Sequence, residues 1–119
     1  MNDNVTTVAE LRKLMADFVA ERDWHPFHDP KNLAASIAIE TAELMEHFQW
    51  LRTDQLESVR DDAEQMQQIR EEAADILAYL LSFANAMNID LSAALADKMQ
   101  KNERKYPAEE FRGAFRRPK

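Results

Sequence analysis

Apolar positions recur with a helical period along most of the chain. Leu11, Leu14, Met15, Phe18 and Val19 share one face, and Thr7 with Glu10 has capping-box spacing, so a first helix is predicted from Thr7 to about Arg22. Leu33, Ile37, Leu44 and Leu51 form the stripe of a second helix, from about Asn32 to Leu51. Ile69, Ala73, Ile76, Leu80, Phe83 and Met87 mark the buried face of a third, capped by Asp61 or Asp62. Leu91, Leu95 and Met99 face inward on a fourth, which starts at Asp90 or Ser92 and is stopped by Pro107. The loop 23–32 holds Pro26 and Pro30 and cannot continue a helix. Residues 52–61 form a charged connection with room for a short helical turn. The pattern predicts an all-α chain with residues 1–6 as a flexible tail, 7–107 as the folded domain and 108–119 as a basic tail, disordered or folded over a partner subunit.

Acidic residues interrupt two of these apolar stripes. At about 100° per residue, Glu40 falls near the centre of the second helix's stripe and Glu43 about 60° to one side. On the third helix Glu72 lies about 40° from the stripe centre, with Asp75 and Tyr79 on the same flank. Glu46 and Glu71 point away and read as solvated. A carboxylate among core leucines is costly unless something pairs with it. Two inward pairs, E-x-x-E and E-x-x-D, therefore predict a divalent cation held by oxygen ligands, with Glu40, Glu43, Glu72 and Asp75 as metal ligands and catalytic groups. Three Glu and one Asp match Mg²⁺, or Mn²⁺. A di-iron centre is disfavoured, because none of His25, His28 and His47 stands three residues after a glutamate. His47 shares the acid face, either as a ligand or as a hydrogen-bonded partner to an acid.

Composition narrows the setting. One Gly and four Pro in 119 residues, with abundant helix formers, leave no room for a sheet. The chain has no Cys, hence no disulfide framework and no thiolate metal site, and a reducing cytoplasm is the simplest compartment. No apolar run approaches the ~20 residues of a membrane span. A net charge of −7 argues against duplex nucleic acid as a partner but not against an anionic small molecule, because a bound metal reverses the local sign.

Two further groups bear on such a ligand. Trp24, Phe27 and His28 sit in the proline-bounded loop, where they either line a pocket on which a nucleobase stacks or plug the end of the bundle. Trp50, near the end of the second helix on the Glu43 side, suits a pocket edge or a packing role. Lys98, Asn102 and Lys105 recur at i, i+4 and i+7, either as a solvated face or as donors to phosphate oxygens. Acids for a metal, an aromatic pocket and a Lys/Asn face together point to hydrolysis of a nucleotide phosphoanhydride. The competing reading is a helical interaction module.

The motifs A-E-R-D-W-x-x-F-H-x-P-K-N-L (20–33), E-x-x-E-L-x-E-x-F-Q-W (40–50), E-E-x-x-D-I-L-x-Y-L (71–80) and D-L-x-x-A-x-x-x-K-M-x-x-N-x-x-K-Y-P (90–107) carry a resemblance. In this order, over about residues 7–107, the sequence resembles the MazG-like nucleoside triphosphate pyrophosphohydrolases, most closely their dCTP pyrophosphatase branch. The resemblance implies a four-helix MazG-like bundle assembling as a homodimer or homotetramer. It implies Mg²⁺-dependent cleavage of dCTP or a modified dCTP between the α- and β-phosphates. Broad house-cleaning and dUTPase-like relatives are the alternative specificities. By motif position Glu40, Glu43, Glu72 and Asp75 would hold the metal. Trp24, Phe27, His28, Trp50 and Tyr79 would line the base and sugar pocket. Lys98 and Asn102 would contact phosphate, supported by Lys105 or Tyr106. One position departs: animal members of the branch carry a histidine near the nucleotide where this chain has Met15, whose thioether cannot donate a hydrogen bond.

Overall fold

The computed structural model describes residues 1–116. The described residues are helical throughout, with no strand, in the order α1 (Val8–Glu21), α2 (Pro30–Glu46), α3 (Leu56–Arg60), α4 (Ala63–Met87), α5 (Leu91–Lys105) and α6 (Ala108–Phe111). Short 3₁₀ turns at His25–Phe27 and Thr53–Gln55 precede α2 and α3. The four long helices are the predicted ones. α3 occupies the charged connection, and α6 lies in the stretch expected as a tail, whose residues 117–119 fall outside the described residues. No single helix among the described residues is long and apolar enough to cross a membrane.

The helix ends follow from local chemistry. Thr7 Oγ1 accepts from the Glu10 amide at 3.1 Å and Glu10 Oε1 accepts from the Thr7 amide at 3.3 Å, which is the capping box expected. After α1 the chain turns at Asp23, whose φ of 53° is in the left-handed region that a short polar side chain tolerates. α2 begins two residues earlier than predicted: Asp29 caps it, accepting from the Asn32 amide at 2.8 Å, and Pro30 stands in the first turn, where its missing N–H costs nothing. α2 also ends sooner, at Glu46. The amides of His47 and Phe48 reach carbonyls only three residues back, Leu44 and Met45, so the last turn tightens and the chain leaves the helix before Trp50. Asp62 and Asp90 cap α4 and α5, and Asn88 closes α4 with a φ of 54°.

The chain divides into two compact units, Met1–Asn88 and a second that begins at Ile89. Within the first, α2 and α4 pack most extensively, and α1 and α3 also pack on α4. Leu33, only 2% exposed, Val19, Val59, Leu81 and Ala84 are its buried apolar residues. α1 is further tied to α4 by hydrogen bonds. Arg12 Nε donates to Asn85 Oδ1 at 2.9 Å, Arg12 Nη2 donates to the Ala84 carbonyl at 3.3 Å, and Asn85 Nδ2 donates to the Arg12 carbonyl at 3.0 Å. Several residues expected inside are exposed instead: Leu14 and Phe18 on α1, Leu80 and Met87 on α4, Leu95 and Met99 on α5. Helical period identifies an apolar face, but one chain of this length does not have enough layers to cover every such face.

Candidate active site

The acids that break the apolar stripes meet where α2 packs on α4. One carboxylate oxygen each from Glu40, Glu43 and Glu72 lie within 4.8 Å of one another. Glu40 and Glu72 are half-buried and Glu43 is exposed. Glu40 Oε2 and Glu72 Oε2 are both shut off from solvent without a hydrogen-bond partner among the described residues. Two such orphaned oxygens in one cluster are an unusual expense for a fold, and oxygen atoms at this spacing are a ready-made ligand set for a hard cation. The electrostatics agree. Burial, then a hydrogen bond and like charge from Glu43, then the charges of Asp75 and Glu72, push the Glu40 carboxyl up to about 7. Glu72 is raised by burial first and by Glu43 and Asp75 next, and the nearby His47 pulls it partly back. His47 itself caps the end of α2, half-buried, on the acid side.

Asp75, the fourth predicted ligand, is exposed and stands outside this three-carboxylate cluster. Its charge reaches both Glu40 and Glu72. Its side chain lines the neighbouring cavity of about 330 Å³, together with Met15, Phe18, Trp24, His28, Ala78 and Tyr79. That volume lies at the small end of the range for organic-ligand sites. Phe18 and Trp24 meet edge to face with centroids 5.7 Å apart, and Trp24 stacks on His28 at 5.8 Å. His28 Nδ1 pairs with the Trp24 carbonyl at 3.3 Å. The Arg22 guanidinium covers the Phe18 ring at 3.7 Å from its centroid. The proline-bounded loop thus forms a pocket wall, while His28 also makes the structural hydrogen bond of the plug reading. Glu72, Asp75 and Tyr79 place the acids and this cavity along one helix, about 10 Å from first to last.

Two predicted pocket residues are not among those lining this cavity. Trp50 is 85% exposed and Phe27 is 68% exposed. Lys98 and Asn102 are on α5 in the second unit, where Asn102 Nδ2 lies 3.7 Å from Met99 Sδ and its carbonyl accepts from the Tyr106 amide at 2.7 Å. Phe18 and Ala78 are the lining residues that pattern reading did not assign to a site. Phe18 reads as core because its helical phase is close to that of Leu11 and Leu14; the nearby Trp24 is the available signal of a pocket.

The MazG-like family matches residues 35–115, which includes both acid pairs. The chain belongs to the MazG-like family. It is 40% identical over 116 residues to human dCTP pyrophosphatase 1, covering 93% of this chain and 65% of the relative, and 38% identical over 108 residues to the bovine protein of the same name, covering 91% and 64%. The chain thus spans a little under two thirds of those mammalian relatives. A crystal structure of a pyrophosphatase from Archaeoglobus fulgidus is 41% identical and superposes with a TM-score of 0.79, covering 90% of this chain and 98% of that one.

Proposed function

We propose that this MazG-like chain is a nucleoside triphosphate pyrophosphohydrolase that acts on dCTP or a modified dCTP, with Mg²⁺, or Mn²⁺, at the acid cluster. The observation that carries the reading is the junction on α4. Three carboxylates with two unpartnered buried oxygens stand beside an aromatic cavity, and Asp75, which lines that cavity, acts by its charge on Glu40 and Glu72. The names of the mammalian relatives and of the archaeal neighbour agree with this chemistry.

Glu40, Glu43, Glu72 and Asp75 would hold the cation, which when bound supplies charge neutralisation for the phosphate oxygens. Trp24, His28 and Tyr79 hold the base, Trp24 by stacking. Trp50 and Phe27 complete the pocket on association with another copy, and Lys98 and Asn102 contact phosphate oxygens. One of the inner carboxylates orients a water for in-line attack at the α-phosphorus. The new bond is water oxygen to α-phosphorus, the broken one is α-phosphorus to the bridging oxygen, and the products are the monophosphate, pyrophosphate and one proton. The exposed apolar residues, Leu14, Ile39, Leu77, Leu80 and Leu95 among them, support self-association of the four long helices into a homodimer or homotetramer.

The test is product analysis over a panel of nucleoside triphosphates, with Mg²⁺ and with chelator. Equimolar monophosphate and pyrophosphate, formed only with metal and fastest from cytosine deoxynucleotides, is the expected result. Equal rates for all bases would remove the dCTP assignment, and no turnover of any would remove the enzyme.

A further inference from the structure

We propose that Arg22 is a positioning residue, which fixes the Phe18–Trp24 wall of the base pocket from behind. This rests on reading the cavity beside Trp24 as the base site. Both rings line that cavity, yet each is 39% exposed. Burial in the core therefore does not immobilise them, and a base binds best to rings that are already in place when it arrives.

The end of α1 supplies the first part of the device. Asp23 takes the left-handed conformation, with a φ of 53°, just past the helix. The Asp23 amide donates to the Ala20 carbonyl at 3.2 Å, and the Trp24 amide donates to the Val19 carbonyl at 3.1 Å. This pair of bonds is the Schellman ending of a helix, which commonly brings the second residue beyond the cap against a residue of the last turn. Here those two residues are Trp24 and Phe18, edge to face at 5.7 Å. A helix cap thus builds the pocket wall.

Arg22, the cap residue itself, supplies the second part. Its Nη1 donates to the Phe18 carbonyl at 2.9 Å, and its guanidinium carbon lies 3.7 Å from the centroid of the Phe18 ring. One side chain therefore holds both the backbone and the ring of Phe18. The same carbon is 6.0 Å from the Trp24 ring centroid. Arg22 is not among the described residues that line the cavity, so it acts on the wall and not on the ligand. Its ion pair with Glu21, at 3.5 Å, is exposed and adds little. A lysine is not equivalent here. Its ammonium reaches either the carbonyl or the ring face, whereas the planar guanidinium meets both.

The test uses Arg22→Met, which keeps the aliphatic stem, and Arg22→Lys, which keeps the charge. Proton–nitrogen correlation spectra, taken with Mg²⁺ and no nucleotide, read the wall directly through the Trp24 indole N–H signal, identified as the one lost in Trp24→Phe. Steady-state kinetics with dCTP and Mg²⁺ read the consequence. In Arg22→Met the indole signal should shift or broaden, and KM should rise about fivefold with kcat changed by less than about twofold, because the acid cluster is untouched. Arg22→Lys should fall between Arg22→Met and wild type in both readouts. An unmoved indole signal in Arg22→Met would overturn the proposal whatever KM does. Full rescue of a raised KM by Arg22→Lys would also overturn it, because charge alone would then be acting on the nucleotide. So would a moved signal with an unchanged KM in Arg22→Met, if Trp24→Ala still raises KM. If Trp24→Ala leaves KM unchanged as well, the base-site reading falls and this proposal with it.

Discussion

Loading the acid cluster with metal should release protons, in an amount set by Glu40. Its carboxyl is raised from 4.5 to about 7 by burial and by Glu43, Asp75 and Glu72, so near neutrality the free protein holds a proton that a cation must displace. For a group at about 7, the displaced fraction is about 0.9 proton at pH 6, about 0.5 at pH 7 and about 0.1 at pH 8. Glu72, raised for the same reasons, adds to this total. The apparent affinity for Mg²⁺ or Mn²⁺ should accordingly improve about tenfold between pH 6 and pH 8 from Glu40 alone. Stability follows the opposite course in the metal-free protein. The folded state binds this proton more tightly than the unfolded chain does, so stability falls as pH rises from about 4.5 to about 7, and metal restores it most at the upper end. Titration calorimetry in buffers of different ionisation enthalpy measures the protons released directly. In Glu40→Gln the release should drop by the Glu40 share, and the pH dependence of metal affinity should flatten. Proton release near zero at pH 6 to 7 in wild type, or an unchanged release in a Glu40→Gln protein that still binds metal, would refute the assignment of the raised acid and of the cluster as the metal site.

Other consequences can be checked separately. Asp75→Asn should fold with an unchanged circular dichroism spectrum and lose at least about a hundredfold in Mg²⁺-dependent kcat, as for removal of a group that acts in the transition state; wild-type turnover would exclude Asp75 from the site. Trp24→Ala should raise KM for dCTP about tenfold or more through lost stacking, with a smaller effect on kcat, measured by steady-state kinetics; an unchanged KM would put the base elsewhere. Arg12→Met removes two part-buried charge-assisted hydrogen bonds between α1 and α4 while keeping the aliphatic stem, and should cost about 2 kcal/mol in urea unfolding at matched protein concentration. A loss below about 0.5 kcal/mol would show that the two guanidinium bonds do not hold α1 on α4.

Much of the acid cluster is legible in the sequence, because the helix is a local object. The period of 3.6 residues fixes which side chains share a face, so Glu40, Glu43 and Glu72 could be recognised as acids on apolar faces from spacing alone. The cap at Thr7 is equally legible, since a cap is a bond across three residues, while the caps of α4 and α5 are narrowed by sequence to Asp61 or Asp62 and to Asp90 or Ser92, of which the structure has Asp62 and Asp90. The loop between Trp24 and Lys31 reads as rigid from its prolines, but whether its rings face a cavity is not local: Trp24 and His28 line one only because the loop lies beside Phe18 of α1 and Tyr79 of α4.

The sequence by itself determined an all-helical chain, the helix that carries each acid, and the family motifs. Tertiary structure decided which acids converge. Glu40, Glu43 and Glu72 meet because α2 lies on α4, while Asp75, one turn along α4, turns toward the aromatic cavity instead. It also decided that Phe18, in phase with the core, is a pocket wall, and that Ser82, an unremarked residue between two apolar neighbours, is a buried hydroxyl without a partner. The physical reason is the same in each case. Periodicity assigns a side chain to a face of its own helix, whereas convergence, burial and cavity shape depend on how far and at what angle a second helix approaches that face.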